Sequence, residues 1–74
     1  MKVTVKLFAS FRTGRFAIEH GDYADGTTVG DVVTLLQIPE QELGIIMVNS
    51  RHVKREHILQ DGDTLALFPL LGGG

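Results

Sequence analysis

The sequence predicts a small α+β domain in which one helix packs across one face of a mixed sheet. Apolar and polar residues alternate over residues 2–8, as they do in a strand with one buried side. Between residues 29 and 36 the apolar residues recur every three or four positions instead, which is typical of one side of a helix. Strand-like runs flank this segment. The predicted order is therefore β, β, α, β, short β, β, which favours one helix layered on one sheet.

The amino-terminal half is predicted to form a hairpin. Its first strand covers residues 2–8, and the breakers in residues 9–15 separate it from a second alternating run at residues 16–20. In this second run the alternation places Phe16 and Ile18 on the buried side. The two runs are expected to pair.

Thr28 is predicted to begin the helix. Its hydroxyl can accept the backbone N–H of Asp31 while the Asp31 carboxylate accepts the N–H of Thr28, an arrangement called a capping box. Pro39 is expected to end the helix, and Gly44 to stop one further helical turn, because neither residue favours continued helix. The apolar side that would face the core consists of Val29, Val32, Val33 and Leu36.

The carboxyl-terminal half is predicted to form a second hairpin and a last strand. A β-branched run at residues 45–48 is followed by a turn signal at residues 49–50 and a short strand around residues 51–53. A second turn signal at residues 61–63 precedes an apolar strand at residues 64–68.

Length and composition exclude several classes of function. A single domain of 74 residues buries only about 60% of its unfolded surface, which leaves little room for an enclosed active site. The chain has no cysteine, so disulfides and cysteine-ligated iron–sulfur clusters are excluded. His20, His52 and His57 do not have the spacing of a metal motif, and no metal site is predicted.

Charge and hydropathy argue against binding to nucleic acid or membrane. The net charge is −2, and no aromatic residues interleave with the basic cluster Arg51, Lys54 and Arg55 to form a base-stacking platform. No apolar run approaches membrane-spanning length, and the start of the chain resembles a strand rather than a signal peptide. A cytoplasmic location is expected. The basic residues Arg51, Lys54 and Arg55, with Arg12 and Arg15, are interpreted as a solvated surface or as an electrostatic docking site for an acidic partner.

The end of the chain is the candidate functional site. Pro69 is predicted to stop sheet pairing, and Gly72 and Gly73 then lead to the terminal carboxylate of Gly74. Because glycine has no Cβ, another protein can close around this backbone and reach the carboxylate. The alternative is an inert frayed tail.

An apolar partner-binding surface is predicted beside this end. If Leu65 and Leu67 face the core, strand alternation turns Ala66 and Phe68 outward. The predicted partner-binding residues are therefore Ala66, Phe68, Pro69, Leu70 and Leu71.

Three segments of the chain resemble the MoaD and ThiS family of ubiquitin-like sulfur carriers: KLFASFR near the start, VNSRHV in the middle and DGDTLALFPLLGGG at the close. The resemblance covers essentially the whole chain. It implies a β-grasp fold whose last strand is central, parallel to and beside the first. Residues 1–74 would form a single ubiquitin-like sulfur-carrier domain, with residues 69–74 as a flexible reactive tail. Ser50 stands where the family commonly has glycine.

The resemblance also implies a reaction at Gly74. In this family a ubiquitin-activating-enzyme-like adenylyltransferase uses ATP and Mg²⁺ to form an acyl-adenylate at the terminal carboxylate. A sulfur donor then yields a thiocarboxylate. The chain itself would bind no cofactor and would be a carrier acted on by an enzyme, although it could count as the small subunit of a molybdopterin synthase.

The expected recipient of the sulfur is molybdopterin, the pterin of the molybdenum or tungsten cofactor, with the large subunit of molybdopterin synthase as partner. One alternative is the thiazole of thiamine, with thiazole synthase as partner. Another is a ubiquitin-like modifier joined to lysines of target proteins.

Overall fold

The chain folds into a five-stranded mixed sheet with one α-helix across one face. The computed structural model describes residues 1–71. The strands are β1 (Lys2–Leu7), β2 (Ile18–Asp22), β3 (Leu43–Val48), β4 (Arg51–His52) and β5 (Thr64–Pro69), the helix is α1 (Val29–Leu35), and two short 3₁₀ helices span Ala9–Arg12 and Glu40–Glu42. The strand order is β2-β1-β5-β3-β4, with β5 parallel to β1 and antiparallel to β3. The predicted α+β class and the central last strand are confirmed.

The core lies between α1 and the face of the sheet that it covers. The inward side chains of the two central strands are fully buried, among them Val5, Leu7, Leu65 and Leu67, all with 0% exposure. The predicted apolar side of α1 packs onto them, with Val29, Val32 and Val33 buried. Each such side chain contributes about 1.5–3 kcal/mol on burial. The strand that carries the chain to its end is therefore the best anchored part of the sheet.

Helix α1 is fixed at both ends although it is only seven residues long. At its start the capping box is confirmed, since Asp31 N–H donates to Thr28 Oγ1 at 3.1 Å and Thr28 N–H donates to Asp31 Oδ2 at 3.0 Å. Just beyond its end, the Arg15 guanidinium donates to the carbonyls of Leu36 at 2.9 Å and Gln37 at 3.1 Å. Arg15, one of the basic residues interpreted above as solvated surface or docking site, thus connects the first loop to the end of the helix.

The predicted inward orientation of Ile18 is wrong. Strand pairing begins at Lys6 and Ile18, after a bond in which Leu7 N–H donates to the Ala17 carbonyl at 2.9 Å. Because paired residues share one face of a sheet, Ile18 lies beside Lys6 on the outer face and is 55% exposed. Phe16 does pack against the core, as predicted.

The hairpin between β3 and β4 turns on two residues with positive φ, Asn49 at +52° and Ser50 at +68°. The Asn49 side chain also accepts the N–H of Thr64 at 2.9 Å and donates to Asp63 at 2.8 Å. Buried Asp63 accepts a further bond from the N–H of Gln60 at 2.8 Å. These bonds fix the start of β5 against the hairpin.

Candidate functional site at the end of the central strand

The face of the sheet opposite α1, called the open face below, presents the outward side chains of β5. Leu65 and Leu67 are fully buried on the inner face, whereas Ala66 and Phe68 are only half-buried on the open face. The predicted assignment of strand faces is confirmed. Exposure then rises along the chain, because Leu70 is 62% exposed and Leu71 82%.

Phe8 and Arg12 complete this surface, and the sequence analysis did not include Phe8. The Phe8 ring stacks on Phe68 with centroids 4.2 Å apart, and the Arg12 guanidinium carbon lies 5.5 Å from the Phe8 centroid. Arg12 Nε also donates to the Leu7 carbonyl at 2.7 Å, which holds the cation in place. The position of Phe8 could have been predicted, because the alternation of β1 turns its side chain outward and the parallel pairing of β1 with β5 places it beside Phe68.

Strand β3 extends the apolar surface away from β1. Ile45 pairs with Phe68, and Met47 pairs with Ala66, so both β3 side chains lie on the open face. Ile45 is 43% exposed. We call this surface the docking patch, and it consists of Phe8, Ile45, Met47, Ala66 and Phe68. All of these residues except Ile45 line a groove of about 450 Å³, together with Lys6, Thr64 and the β3–β4 turn.

Pro69 does not stop sheet pairing, contrary to the prediction. It pairs with Leu43, and the N–H of Leu70 donates to the Glu42 carbonyl at 2.9 Å. Successive backbone nitrogens of a strand point to opposite edges. The N–H of Leu70 points towards β3, so the nitrogen of Pro69 points towards β1, and the pairing of β1 with β5 already ends at Leu67. The missing donor therefore leaves no gap in a ladder. Pro69 and Leu70, the first two residues of the predicted tail at residues 69–74, are therefore attached to the edge of β3.

The reactive residues assigned from the sequence, Gly72, Gly73 and Gly74, lie outside the described residues. Leu70, whose N–H is bonded to the Glu42 carbonyl, is the nearest residue before them with a backbone contact to another part of the chain.

Polar residues elsewhere form surface pairs. Lys2 Nζ donates to Asp22 Oδ2 at 2.9 Å, and this hydrogen bond and the opposite charge lower the pKa of the Asp22 carboxyl and raise that of Lys2. Arg55, from the predicted basic cluster, forms an ion pair with Glu40.

Residues 1–71 contain no group of three or more histidines or carboxylates placed to hold a metal ion. In the same range, no helix has the length and apolarity needed to cross a membrane.

Comparisons with known proteins agree with this architecture. The family model of the ThiS family matches residues 5–74. A search of curated protein sequences found no match. The solved structure of a Pyrococcus furiosus protein, a candidate molybdopterin converting factor subunit 1, is 30% identical with a TM-score of 0.77, and the match covers 96% of this chain and 99% of that one.

Two further structures share the fold at lower identity. Small archaeal modifier protein 1 of Haloferax volcanii is 22% identical with a TM-score of 0.74, over 95% of this chain and 98% of that one. A complex of subunits 1 and 2 of the molybdopterin-converting factor of Helicobacter pylori contains a chain that is 22% identical with a TM-score of 0.67, over 100% of both chains. The match over residues 5–74 and the shared β-grasp topology together show that the chain belongs to the ThiS family of small ubiquitin-like carrier and modifier proteins.

Proposed function

We propose that this protein carries sulfur as a thiocarboxylate on Gly74 and donates it in the biosynthesis of molybdopterin, where it becomes dithiolene sulfur. The observation that carries the proposal is the position of the docking patch. Phe68, at its centre, lies two residues before Leu70, the point where the chain leaves the sheet. A partner that covers the patch would have the end of the chain within its own surface.

The chemistry at Gly74 has to be supplied by partners. A carboxylate is a poor acyl donor because its oxygen is a poor leaving group. In the proposed first step, a carboxylate oxygen attacks the α-phosphorus of ATP in an adenylyltransferase of the ubiquitin-activating type, and pyrophosphate leaves. A hydrosulfide ion supplied by the donor then attacks the acyl carbon, the carbon–oxygen bond to AMP breaks and AMP leaves, and loss of the S–H proton gives the thiocarboxylate. Mg²⁺ and ATP belong to the partner enzyme, and this chain provides the acyl group and the surface that presents it.

The docking patch, together with Leu70 and Leu71 beside it, can supply the free energy needed to order the tail. Fixing the backbone of three glycines in a cleft costs roughly 1–2 kcal/mol each. Burying an apolar side chain contributes about 1.5–3 kcal/mol when it starts fully exposed, and less when it is half-buried as Phe68 is. Leu70 and Leu71 are largely exposed, and Ile45 adds to them. Covering these residues therefore offsets the ordering of the tail.

Two comparisons support molybdopterin as the recipient. The Pyrococcus furiosus structure is a candidate subunit 1 of the molybdopterin converting factor, and the Helicobacter pylori structure pairs subunit 1 with subunit 2. The large subunit of molybdopterin synthase is thus the proposed partner that consumes the thiocarboxylate. Thiazole synthase is the alternative partner, since the matching family model is that of ThiS. Conjugation to lysines is the other alternative, because a protein named as a modifier shares the fold.

Mass spectrometry of the carrier tests the proposal. The full chain is incubated with the adenylyltransferase of its source organism, ATP, Mg²⁺ and a sulfur donor, and a control omits ATP. Replacement of one oxygen by sulfur on the carboxyl-terminal peptide is expected only with ATP. If no sulfur is acquired under conditions that charge a known carrier, the proposal fails. Co-purification with a pterin-synthase large subunit, with thiazole synthase, or as lysine adducts of higher mass then separates the three fates.

A further inference from the structure

Gly44 lies where β3 passes the last residues of β5. A methyl group at position 44 would be 2.8 Å from the nitrogen of Leu70 and 2.8 Å from both the carbonyl carbon and the oxygen of Pro69. All three are backbone atoms, which cannot turn aside as the end of a flexible side chain can. To reach an ordinary contact of 3.4 Å, the end of β5 would have to move away from β3 by about 0.6 Å.

The same glycine forms a bulge in the strand ladder. Ile45 pairs with Phe68 and Leu43 pairs with Pro69, so Gly44 is the extra residue of β3 between two consecutive residues of β5. Without a bulge, Leu43 and Ile45 would face the same side of the sheet. With it, Leu43 packs against the core while Ile45 joins the docking patch. The bulge therefore connects the core, the docking patch and the end of β5.

We infer that Gly44 is a positioning residue for the reactive carboxylate, because its lack of a side chain lets Pro69 and Leu70 lie against β3 and sets the point where the tail leaves the sheet. This inference rests on the proposed function. The four residues after Leu70 span at most about 13–14 Å when extended. Reacting atoms must approach to about 3–3.5 Å, and a misplacement of about 1 Å can slow a reaction roughly 100-fold. A shift of Leu70 would therefore change the position that the Gly74 carboxylate can reach.

The test compares Gly44→Ala with the matched control Gly21→Ala. Both changes add one methyl group to a strand. At Gly21 the three atoms nearest to that methyl all belong to the side chain of Tyr23, the closest at 3.0 Å, and none of them is a backbone atom. Three quantities are measured for wild type and both variants: hydrogen exchange of the Leu70 amide by NMR, the Kd for the adenylyltransferase, and the single-turnover rate of adenylation at saturating enzyme.

In Gly44→Ala we expect the Leu70 amide to lose protection, because its bond to the Glu42 carbonyl lengthens or breaks. The Kd is expected to stay within about threefold, since the docking patch keeps its side chains, while adenylation slows by about tenfold or more. Gly21→Ala should match wild type in all three measurements. A purely structural role for Gly44 would lower the folded fraction and leave the rate per folded, bound molecule unchanged, which would overturn the inference.

A measurement on wild type serves if Gly44→Ala does not fold. The Leu70 amide is followed by hydrogen exchange in the free protein and in the complex with the adenylyltransferase. Retained protection in the complex supports the inference, and release of Leu70 on binding overturns it. Charging of wild type separates the two claims. If wild type is not adenylated, the proposed function fails and the positioning role fails with it, whereas equal rates for wild type and Gly44→Ala overturn the positioning role alone.

Discussion

The aromatic rings of Phe8 and Phe68 stack with centroids 4.2 Å apart and planes 11° from parallel, and they join the ends of the first and last strands on the open face. The contact follows from parallel pairing, because Leu7 pairs with Leu67 and the next residue of each strand turns to the other side of the sheet. Arg12 lies against the outer side of Phe8. Phe8 and Phe68 thus restrain each other on the open face, and side chains ordered before binding lower the entropy cost that docking of a partner would carry.

The first prediction is that Phe68→Asp leaves the fold intact and weakens binding to the adenylyltransferase. Phe68 is on the open face, so the charge spares Leu65 and Leu67 in the core. Because Phe68 is already half-buried, the lost apolar contact is about 1.5 kcal/mol at most, and burying the new carboxylate against an apolar partner surface adds to it, so Kd should rise about tenfold or more. Binding is measured by calorimetry and the fold by chemical-shift dispersion.

Ile58→Asp is the matched control for this change. Ile58 is an apolar residue that is 52% exposed and lies outside the docking patch, so the same charge there should leave the Kd unchanged. Equal weakening by both variants would show that net charge, rather than the patch, governs binding. An unfolded Phe68→Asp variant would contradict the assignment of the faces of β5.

Features set by neighbouring residues could be predicted from the sequence. The capping box of Thr28 and Asp31 spans four residues, and the faces of β5 follow from simple alternation. The outward orientation of Ala66 and Phe68 could be predicted for the same reason, because both belong to one strand. The central place of β5 came from the resemblance to a family rather than from any local pattern.

Features set by contacts between distant segments could not be predicted in this way. The guanidinium of Arg15 binds carbonyls beyond the end of α1, and nothing near Arg15 in the sequence indicates this. The orientation of Ile18 depends on its pairing with Lys6, and a shift of one residue would have turned it inward. Gly44 was interpreted as a helix stop, because only the paired β5 backbone shows that a side chain does not fit there.

The second prediction concerns the surface pair of Lys2 and Asp22. The hydrogen bond from Lys2 and its charge lower the pKa of Asp22, so Lys2→Gln should raise this pKa towards the ordinary value of 3.8. Lys6→Gln is the control, since Lys6 lies on the same strand and face but pairs with Ile18. Both are followed by NMR titration of the Asp22 carboxyl. An unchanged pKa in Lys2→Gln would contradict the pairing.

The sign of the pH dependence follows from these shifts. A lowered pKa in the folded state means that the Asp22 contribution to stability is present above pH 3.8 and is lost as the pH falls through the folded-state pKa. The raised pKa of Lys2 means that its contribution is present below pH 10.5 and is lost as the pH rises through the folded-state pKa. Both side chains are exposed to solvent, so the effect should be small and should weaken further in about 1 M salt.

The third prediction is that Ser50→Gly stabilises the protein by about 0.5–1 kcal/mol. Ser50 has φ +68°, a conformation that costs a residue with a side chain roughly 1–2 kcal/mol, while glycine loses about 0.5–1 kcal/mol more entropy on folding. Ser10→Gly is the control. Ser10 lies in a 3₁₀ helix and does not have a positive φ, so glycine there should destabilise the protein. Urea unfolding gives both free energies. A lower free energy of unfolding for Ser50→Gly would mean that the serine hydroxyl stabilises the turn.

The fourth prediction is that the reaction at Gly74 depends on the number of residues beyond the sheet. Each extended residue spans about 3.3–3.6 Å, a distance as large as the approach that the reacting atoms require. Deleting Gly74 leaves a chemically similar end one step short, and adding an alanine after Gly74 puts a methyl group and an extra step at the reacting end. Both variants should be adenylated much more slowly than wild type.

Folding and docking should be unchanged in these two variants, because the docking patch and the Leu70 contact to Glu42 are upstream of the change. Measured Kd values for the adenylyltransferase therefore serve as the control, and mass spectrometry after incubation with ATP and a sulfur donor gives the charging rate. If the variant that lacks Gly74 is charged as fast as wild type, the third glycine is not required. The predicted dependence on tail length is then wrong, while the carrier function stands. If both variants bind normally and are charged slowly, the anchor at Leu70 and the length of the tail together set the position of the carboxylate.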